Sequence, residues 1–283
     1  MTLTRSTVLR AGLAAAAILA FGGPVLAEGK TYVFATEAAY PPFNMSKPDG
    51  TIYGFEVDLL AEAAKRAGIE YDLISQAWDG MIQGLVDGKY DGVIDAVTVT
   101  EKRLQVVDFS LPYTTGGSTF AVLKDAGIEI PGADSLVVLD DETAAEASIA
   151  AVAEALKGKT VGVQVSTIQA DFLEKYLAPR GVTIRTYPNG PDVYQDLMNG
   201  RLDATMAAIT NISAFLEKNG DEATTAGPNF TGGVMGRGAA IAVQKGDAEL
   251  AEKLGAALKS MSEDGTLEAL SMKYFKMNVT PKL

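Results

Sequence analysis

From Thr31 onward the apolar and polar positions fall into short blocks with two alternating periods. "TYVFATE" is an apolar run of strand length. "GFEVDLLAEAAKRAG" then repeats its apolar positions at helical spacing, with Phe55, Leu59 and Ala63 on one stripe and Gly68 as the stop. "YDLISQ" reads as a strand, "WDGMIQGLVDGK" as a helix and "YDGVIDAV" as a third strand. A second set opens near residue 160: strand "KTVGVQV", helix "STIQADFLEKYLAPRG", strand "VTIRTY", helix "PDVYQDLMNGR" and strand "LDATMAA". Both sets run strand–helix–strand–helix–strand, which predicts an α/β protein. They share the pattern without close sequence identity, so two similar lobes are expected rather than a tandem repeat.

The connections set the lobe arrangement. "LPYTTGGSTFAVLK" and residues 125–159 join the sets, and "DETAAEASIAAVAEALKGK" within them predicts an alanine-rich helix ending at Gly158. After the second set, "TAGPNFTGGVMGRGAAIAVQKGD" has the glycines and proline of a crossover and then a strand. The chain is thus expected to leave lobe 1, build lobe 2 and return. Hinges at Thr114–Ser118 and near Gly227–Val234 would leave an interlobe cleft. The expected division is lobe 1 from residues 28–117 and 231–283, and lobe 2 from residues 118–230.

The first 27 residues differ in kind. Arg5 and Arg10 precede "AGLAAAAILAF", too short to span a bilayer, and small Val25 and Ala27 stand where a cleavage site needs them. A secretory signal peptide cut after Ala27 is expected, and with it a soluble periplasmic protein. The chain is 47% hydrophobic and 21% charged, which is globular rather than disordered. The leader holds two of the 24 basic residues and none of the 36 acidic ones, so the mature chain carries a formal −14. That charge speaks against nucleic acid and anionic membrane surfaces and mildly favours cationic ligands.

Chemistry is narrowed by absence. The sequence has no cysteine, which removes lipidated cysteine, disulfides and thiol catalysis, and no histidine, which removes serine–histidine hydrolysis and histidine-held zinc. "GAAIAVQKGD" lacks the context of a phosphate loop, and the carboxylates of "LDDETAAE" suit a solvated helix start better than a calcium loop. No metal or cofactor is expected.

Taken in order, "TEAAYPPFN", "GFEVDLLAEAAKRAG", "WDGMIQGLVDGKYDGVIDAVTVTEKR", "FSLPY" and "MSEDGTLEALSMKYFKMNV" resemble the periplasmic amino-acid-binding proteins of ABC importers. The segment before "KTVGVQVSTIQADFLEKY" is similar to the octopine- and nopaline-binding branch, beside the lysine/arginine/ornithine receptors. The resemblance implies a type II two-lobed binding protein with two hinge crossings and a ligand closed into the interlobe cleft. It implies a carboxylate grip by Arg103 together with Thr98 and the adjoining Ala96 and Val97. A guanidinium's planar pair of donors suits that task. From the opposite lobe, the strand end and helix start at Gln164, Ser166, Thr167 and Ile168 would complete the clamp, whether or not the hydroxyls also cap the helix.

By the same resemblance, Glu37, Tyr40 and Trp78 receive the ligand side chain, the aromatics sandwiching a stem or guanidinium and Glu37 pairing its charge. Asp95 stands where the family has a small or hydroxyl residue; it either adds a second negative group or caps a strand end. Ala208 stands where α-amino-acid receptors carry an aspartate for the ligand's ammonium. That departure points to another anion, or to a ligand whose nitrogen is substituted. Asp203 matches a structural residue. The expectation is a monomeric, non-enzymatic periplasmic receptor that captures a basic amino acid or opine-like derivative and delivers it to an inner-membrane permease. The alternatives are an arogenate/prephenate-type dehydratase on the same fold, using Glu37 and Asp95, or a ligand sensor for a signalling receptor.

Overall fold

The computed structural model describes residues 30–283, so the leader lies outside the described residues. In chain order, lobe 1 begins with β1 (Thr31–Thr36), β2 (Ala39–Tyr40), β3 (Asn44–Ser46), β4 (Ile52–Tyr53), α1 (Phe55–Ala67), β5 (Glu70–Ser75), α2 (Met81–Val86), β6 (Gly92–Val93), α3 (Glu101–Leu104) and β7 (Val107–Thr114). Lobe 2 follows with β8 (Ser118–Leu123), β9 (Leu136–Val138), α4 (Glu142–Ala155), β10 (Thr160–Gln164), α5 (Ile168–Phe172), β11 (Thr183–Tyr187), α6 (Gly190–Met198), β12 (Ala204–Ala208), α7 (Ile209–Asn219) and β13 (Ala223–Thr231). The chain then returns to lobe 1 as β14 (Ala239–Gln244), α8 (Ala248–Glu263) and α9 (Thr266–Phe275).

The two main sheets are built alike. Lobe 1 has the order β5-β1-β6-β14-β7, and lobe 2 the order β11-β10-β12-β8-β13-β9. In each, three parallel strands come from strand–helix–strand units and two further strands join by antiparallel pairing; in lobe 2, β9 then adds to β13 in parallel. Strands β2, β3 and β4 form a small separate sheet at the mouth of lobe 1.

Helix α1 shows why the sequence folds locally as it does. Its stripe Phe55, Leu59 and Ala63 is fully buried, Glu56 and Asp58 lie in the first turn, and Lys65 and Arg66 lie in the last. Gly68 ends it in the left-handed conformation that a side chain would penalise. Phe34, Phe55, Leu254 and Phe275 centre the core on this side of the lobe 1 sheet, and Trp78, Met81 and Leu85 form a second cluster. Lobe 2 likewise has Phe120, Phe172 and Phe230 in one cluster and Val193, Leu197 and Ile212 in another.

Three readings need correction. "YDGVIDAV" is strand only at Gly92–Val93, because the chain must break from the ladder to enter the cleft; Thr98 rejoins the sheet as an isolated bridge to Ala239. The helix from Ile168 keeps α geometry only to Phe172, then widens into π turns and tightens into a 3₁₀ turn at Ala178–Arg180, where Pro179 withdraws an amide. The second crossing starts later than Gly227, which still lies in β13 and bonds to Ile130. The return spans residues 232–238, between β13 and β14, and the first crossing joins β7 to β8 through residues 115–117.

Candidate functional site

The cleft forms where strands end. Glu37 follows β1, Asp95 and Ala96 follow β6, Gln164 ends β10 and Ala208 ends β12, so both lobes point the carboxyl ends of their parallel strands at one space. Its volume is about 700 Å³ including the open mouth. Ala38, Ala96 and Ser166, non-glycine residues with φ of 58°, 46° and 61°, turn the chain at these strand ends. Such left-handed positions persist only where surrounding contacts hold them.

The lobes are closed on each other. The Trp78 indole N–H donates to the Val165 carbonyl at 3.0 Å, and the Gln164 amide donates to both Glu37 oxygens at 2.9 and 3.0 Å. The Ser166 hydroxyl donates to Asp79 at 2.9 Å, and the Asn211 amide donates to the Pro41 carbonyl at 2.6 Å. Lys102 and Asp171 face each other at 3.4 Å at the rim, a solvent-exposed pair of small weight.

Arg103 sits in α3, capped by Thr100, whose hydroxyl accepts from the Arg103 amide. Its guanidinium donates to the Thr98 carbonyl at 2.9 Å and lies 5.4 Å from the centre of the Trp78 ring. These contacts fix the planar head while leaving donors for a ligand. Burial lowers its pKa to about 10, so it stays charged at neutral pH.

Glu37 and Asp95 form the acidic end. Burial, with the Asp95 charge beside it, raises Glu37 to about 7. Burial, with the Glu56 charge, also raises Asp95. Asp95 accepts from the Asn44 amide at 2.7 Å, the Glu37 backbone N–H at 3.1 Å and the Thr36 hydroxyl at 3.3 Å, all on one oxygen. Of the two roles expected as alternatives, the contacts show Asp95 tying strand ends together, and its side chain also lines the cleft wall. Beneath it Glu56 is buried, accepting from the Ala96 N–H at 2.6 Å, Asn44 at 2.7 Å and the Tyr113 hydroxyl.

Of the residues singled out from sequence, the structure brings Glu37, Tyr40, Trp78, Asp95, Ala96, Thr98, Arg103, Gln164, Thr167, Ile168 and Ala208 to the cleft. Val97 does not line it: the chain turns at Ala96, and Val97 is fully buried in the Trp78 cluster. Ser166 is also displaced, its hydroxyl spent on Asp79. The Thr167 hydroxyl accepts from the Ala170 N–H and donates to the Gln164 carbonyl, so it caps α5. Sequence reading missed Phe43, Gln169, Ile209, Thr210 and Ala239, and treated residues 114–118 as hinge alone although they also line the cleft. Gln169 was legible as the next polar residue in "STIQ"; Phe43 and Ala239 carry no local signal. Asp203 accepts from the Thr160 N–H at 2.8 Å and supports the sheet. Asp141 caps α4, consistent with a solvated helix start.

Among the described residues no helix is long and apolar enough to cross a membrane, and no cluster of acidic, histidine or cysteine side chains could hold a metal ion.

Comparison with known proteins places this geometry. The chain is 37% identical over 287 residues to the octopine-binding periplasmic protein of Rhizobium meliloti, covering 94% of this chain and 97% of that one. It is 34% identical over 253 residues to the L-cystine-binding protein TcyJ of Escherichia coli, covering 89% and 85%. The solved structure of an ancestral arginine-binding protein bound to arginine superposes with a TM-score of 0.72 at 32% identity, over 87% of this chain and 98% of that one. The sheet order, two crossings and closed cleft are those of a two-lobed periplasmic binding protein. Residues 32–277 match the family model throughout, and the chain belongs to the bacterial extracellular solute-binding proteins, family 3.

Proposed function

We propose that this protein is the periplasmic receptor of an amino-acid ABC importer, which closes on a basic amino acid or its opine-type derivative and presents it to an inner-membrane permease. One observation carries the reading. A fixed cation, Arg103, and an acidic pair, Glu37 and Asp95, line the same closed cleft, with Tyr40 and Trp78 among them. That set of groups is complementary to a molecule with a carboxylate, an aliphatic stem and a distal cation. The octopine-, cystine- and arginine-binding relatives support the same class of ligand.

The reading includes export behind the leader, action as a monomer and no covalent chemistry. A carboxylate pair with raised pKa values suits general acid–base work as well, which is what an enzyme on this fold would use. A thermal-shift screen of refolded mature protein against arginine, ornithine, lysine, octopine and cystine tests the proposal. A ligand at a hundred times its Kd should stabilise by about 2.7 kcal/mol. It should be recovered unchanged after incubation. No shift with any of the five, or a consumed ligand, overturns the reading.

A further inference from the structure

Residues 125–159 have no part in the cleft, yet their middle stretch is fastened to the return crossing. Strand β9 pairs in parallel with the last residues of β13, Leu136 with Asn229 and Val138 with Thr231, and the Leu139 N–H then donates to the Thr231 carbonyl at 2.8 Å. One residue further, the Asp140 carboxylate accepts from the Gly233 N–H at 2.8 Å. Gly233 is left-handed, at φ 49°, and a side chain there would run into the Leu139 carbonyl. Met235, 1% exposed, packs in the lobe 2 core with Phe172 and Phe230. Gly236 bonds back to Gly232 and Gly233 and closes this turn. The first half of the crossing is thus part of lobe 2, although the strand it follows has ended.

The second half is seated on lobe 1. The Arg237 N–H donates to the Val99 carbonyl at 3.2 Å, and the Val99 N–H donates to the Gly238 carbonyl at 2.9 Å. Gly236, at φ 64°, meets the same carbonyl from the other side, where a Cβ would lie 2.4 Å from its oxygen. Val99 follows Thr98, whose own carbonyl holds the Arg103 guanidinium. A hinge takes up its motion in the few residues that neighbouring contacts leave free. Here those contacts leave the joint between Gly236 and Arg237.

We infer that Asp140 is a positioning residue for ligand capture. Through Gly233 it keeps the first half of the crossing moving with lobe 2, and so confines opening and closing to the Gly236–Arg237 joint. Without that acceptor, residues 232–235 would gain freedom in the open molecule that closure must remove again. A smaller fraction of open molecules would then be poised to close on a ligand, and apparent affinity falls by that fraction. The kinetic consequence rests on the receptor reading; the brace itself does not.

The chain has no cysteine of its own, so Lys89→Cys in lobe 1 and Glu154→Cys in lobe 2, both exposed, can carry spin labels whose separation is read by electron–electron double resonance. In refolded, ligand-free protein, Asp140→Ala should widen the distribution of interlobe distances. Asp140→Asn keeps an acceptor oxygen and should stay near wild type. In stopped-flow mixing with octopine and with arginine, Asp140→Ala should associate about threefold more slowly with dissociation unchanged, and Asp140→Asn should restore the rate. A role in stability alone would lower Tm and move neither reading. Wild-type distance widths or wild-type association in Asp140→Ala overturn the inference, as does an asparagine variant as impaired as the alanine one. Silence towards both ligands overturns the receptor reading and leaves the distance distributions to decide the brace.

Discussion

Gln164 of lobe 2 gives its side-chain amide to both carboxylate oxygens of Glu37 in lobe 1, so the acidic end of the cleft also holds the lobes together. Burial has raised Glu37 to about 7, which makes binding of a cation compete with a proton. Affinity for arginine or octopine should fall as pH drops through 7, by about tenfold at pH 6, with proton uptake on release. Fold stability runs the other way. A carboxyl with a raised pKa contributes fully below its unfolded value and loses that contribution as pH rises through 7. The ligand-induced rise in Tm should therefore grow between pH 5 and pH 8, while the ligand-free Tm declines. Glu37→Gln should weaken both trends, with Asp95, which burial also raises, carrying the remainder; profiles that the substitution leaves unchanged would remove Glu37 from the binding equilibrium.

Arg103 is held by the Thr98 carbonyl and the Trp78 ring with donors to spare. Arg103→Ala should weaken any carboxylate ligand by ~2–5 kcal/mol, since the partner charge would be buried unpaired. Arg103→Lys should restore only part, because an ammonium cannot reproduce the two-pronged geometry. Isothermal titration reads this directly, and unchanged affinity in the alanine variant would make Arg103 a bystander.

The Trp78 indole bonds across the cleft to Val165. Trp78→Phe keeps an aromatic face for Arg103 and deletes that bond, worth about 0.5–1.5 kcal/mol. The loss should fall on the closed state, so ligand dissociation should quicken roughly threefold to tenfold with little change in association. Stopped-flow release kinetics check it; identical off-rates would mean that the bond plays no part in closure.

Glu56 contributes to the fold rather than to the cleft surface. It accepts from Tyr113, Ala96 and Asn44 while buried at the start of α1. In Glu56→Gln an amide group would face one of those donors, and the expected loss is about 2–4 kcal/mol of unfolding free energy. Tyr113→Phe should cost less, about 1–2 kcal/mol, and the double variant less than the sum. Urea denaturation of the three variants would show it; strict additivity would mean the groups are not coupled.

What was legible follows from how far each signal reaches. The α1 stripe, the paired strand–helix sets and the first crossing are written in local periodicity and glycine placement, and they appear as expected. Arg103, Glu37 and Tyr40 were legible because their motifs are short and continuous. Val97 was misplaced because a site motif names neighbours that the left-handed turn at Ala96 sends apart, one to the cleft and the next into the core. The role of Asp95 depends on Asn44 and Thr36, more than fifty residues away.

Strand β14 lies between β6 and β7, inside the lobe 1 sheet, yet it is made of residues 239–244. During synthesis or translocation, lobe 1 therefore waits for an interior strand that emerges only after the whole of lobe 2. Lobe 2 is continuous in sequence and has all its strands in hand by Thr231. The order of assembly is set by that insertion: the later lobe in the sequence is free to finish first, and the lobe carrying Arg103 acquires its shape last. Until then β6 and β7 each have an open edge, the state in which such a chain is most exposed to mispairing and in which a holding chaperone would be of most use.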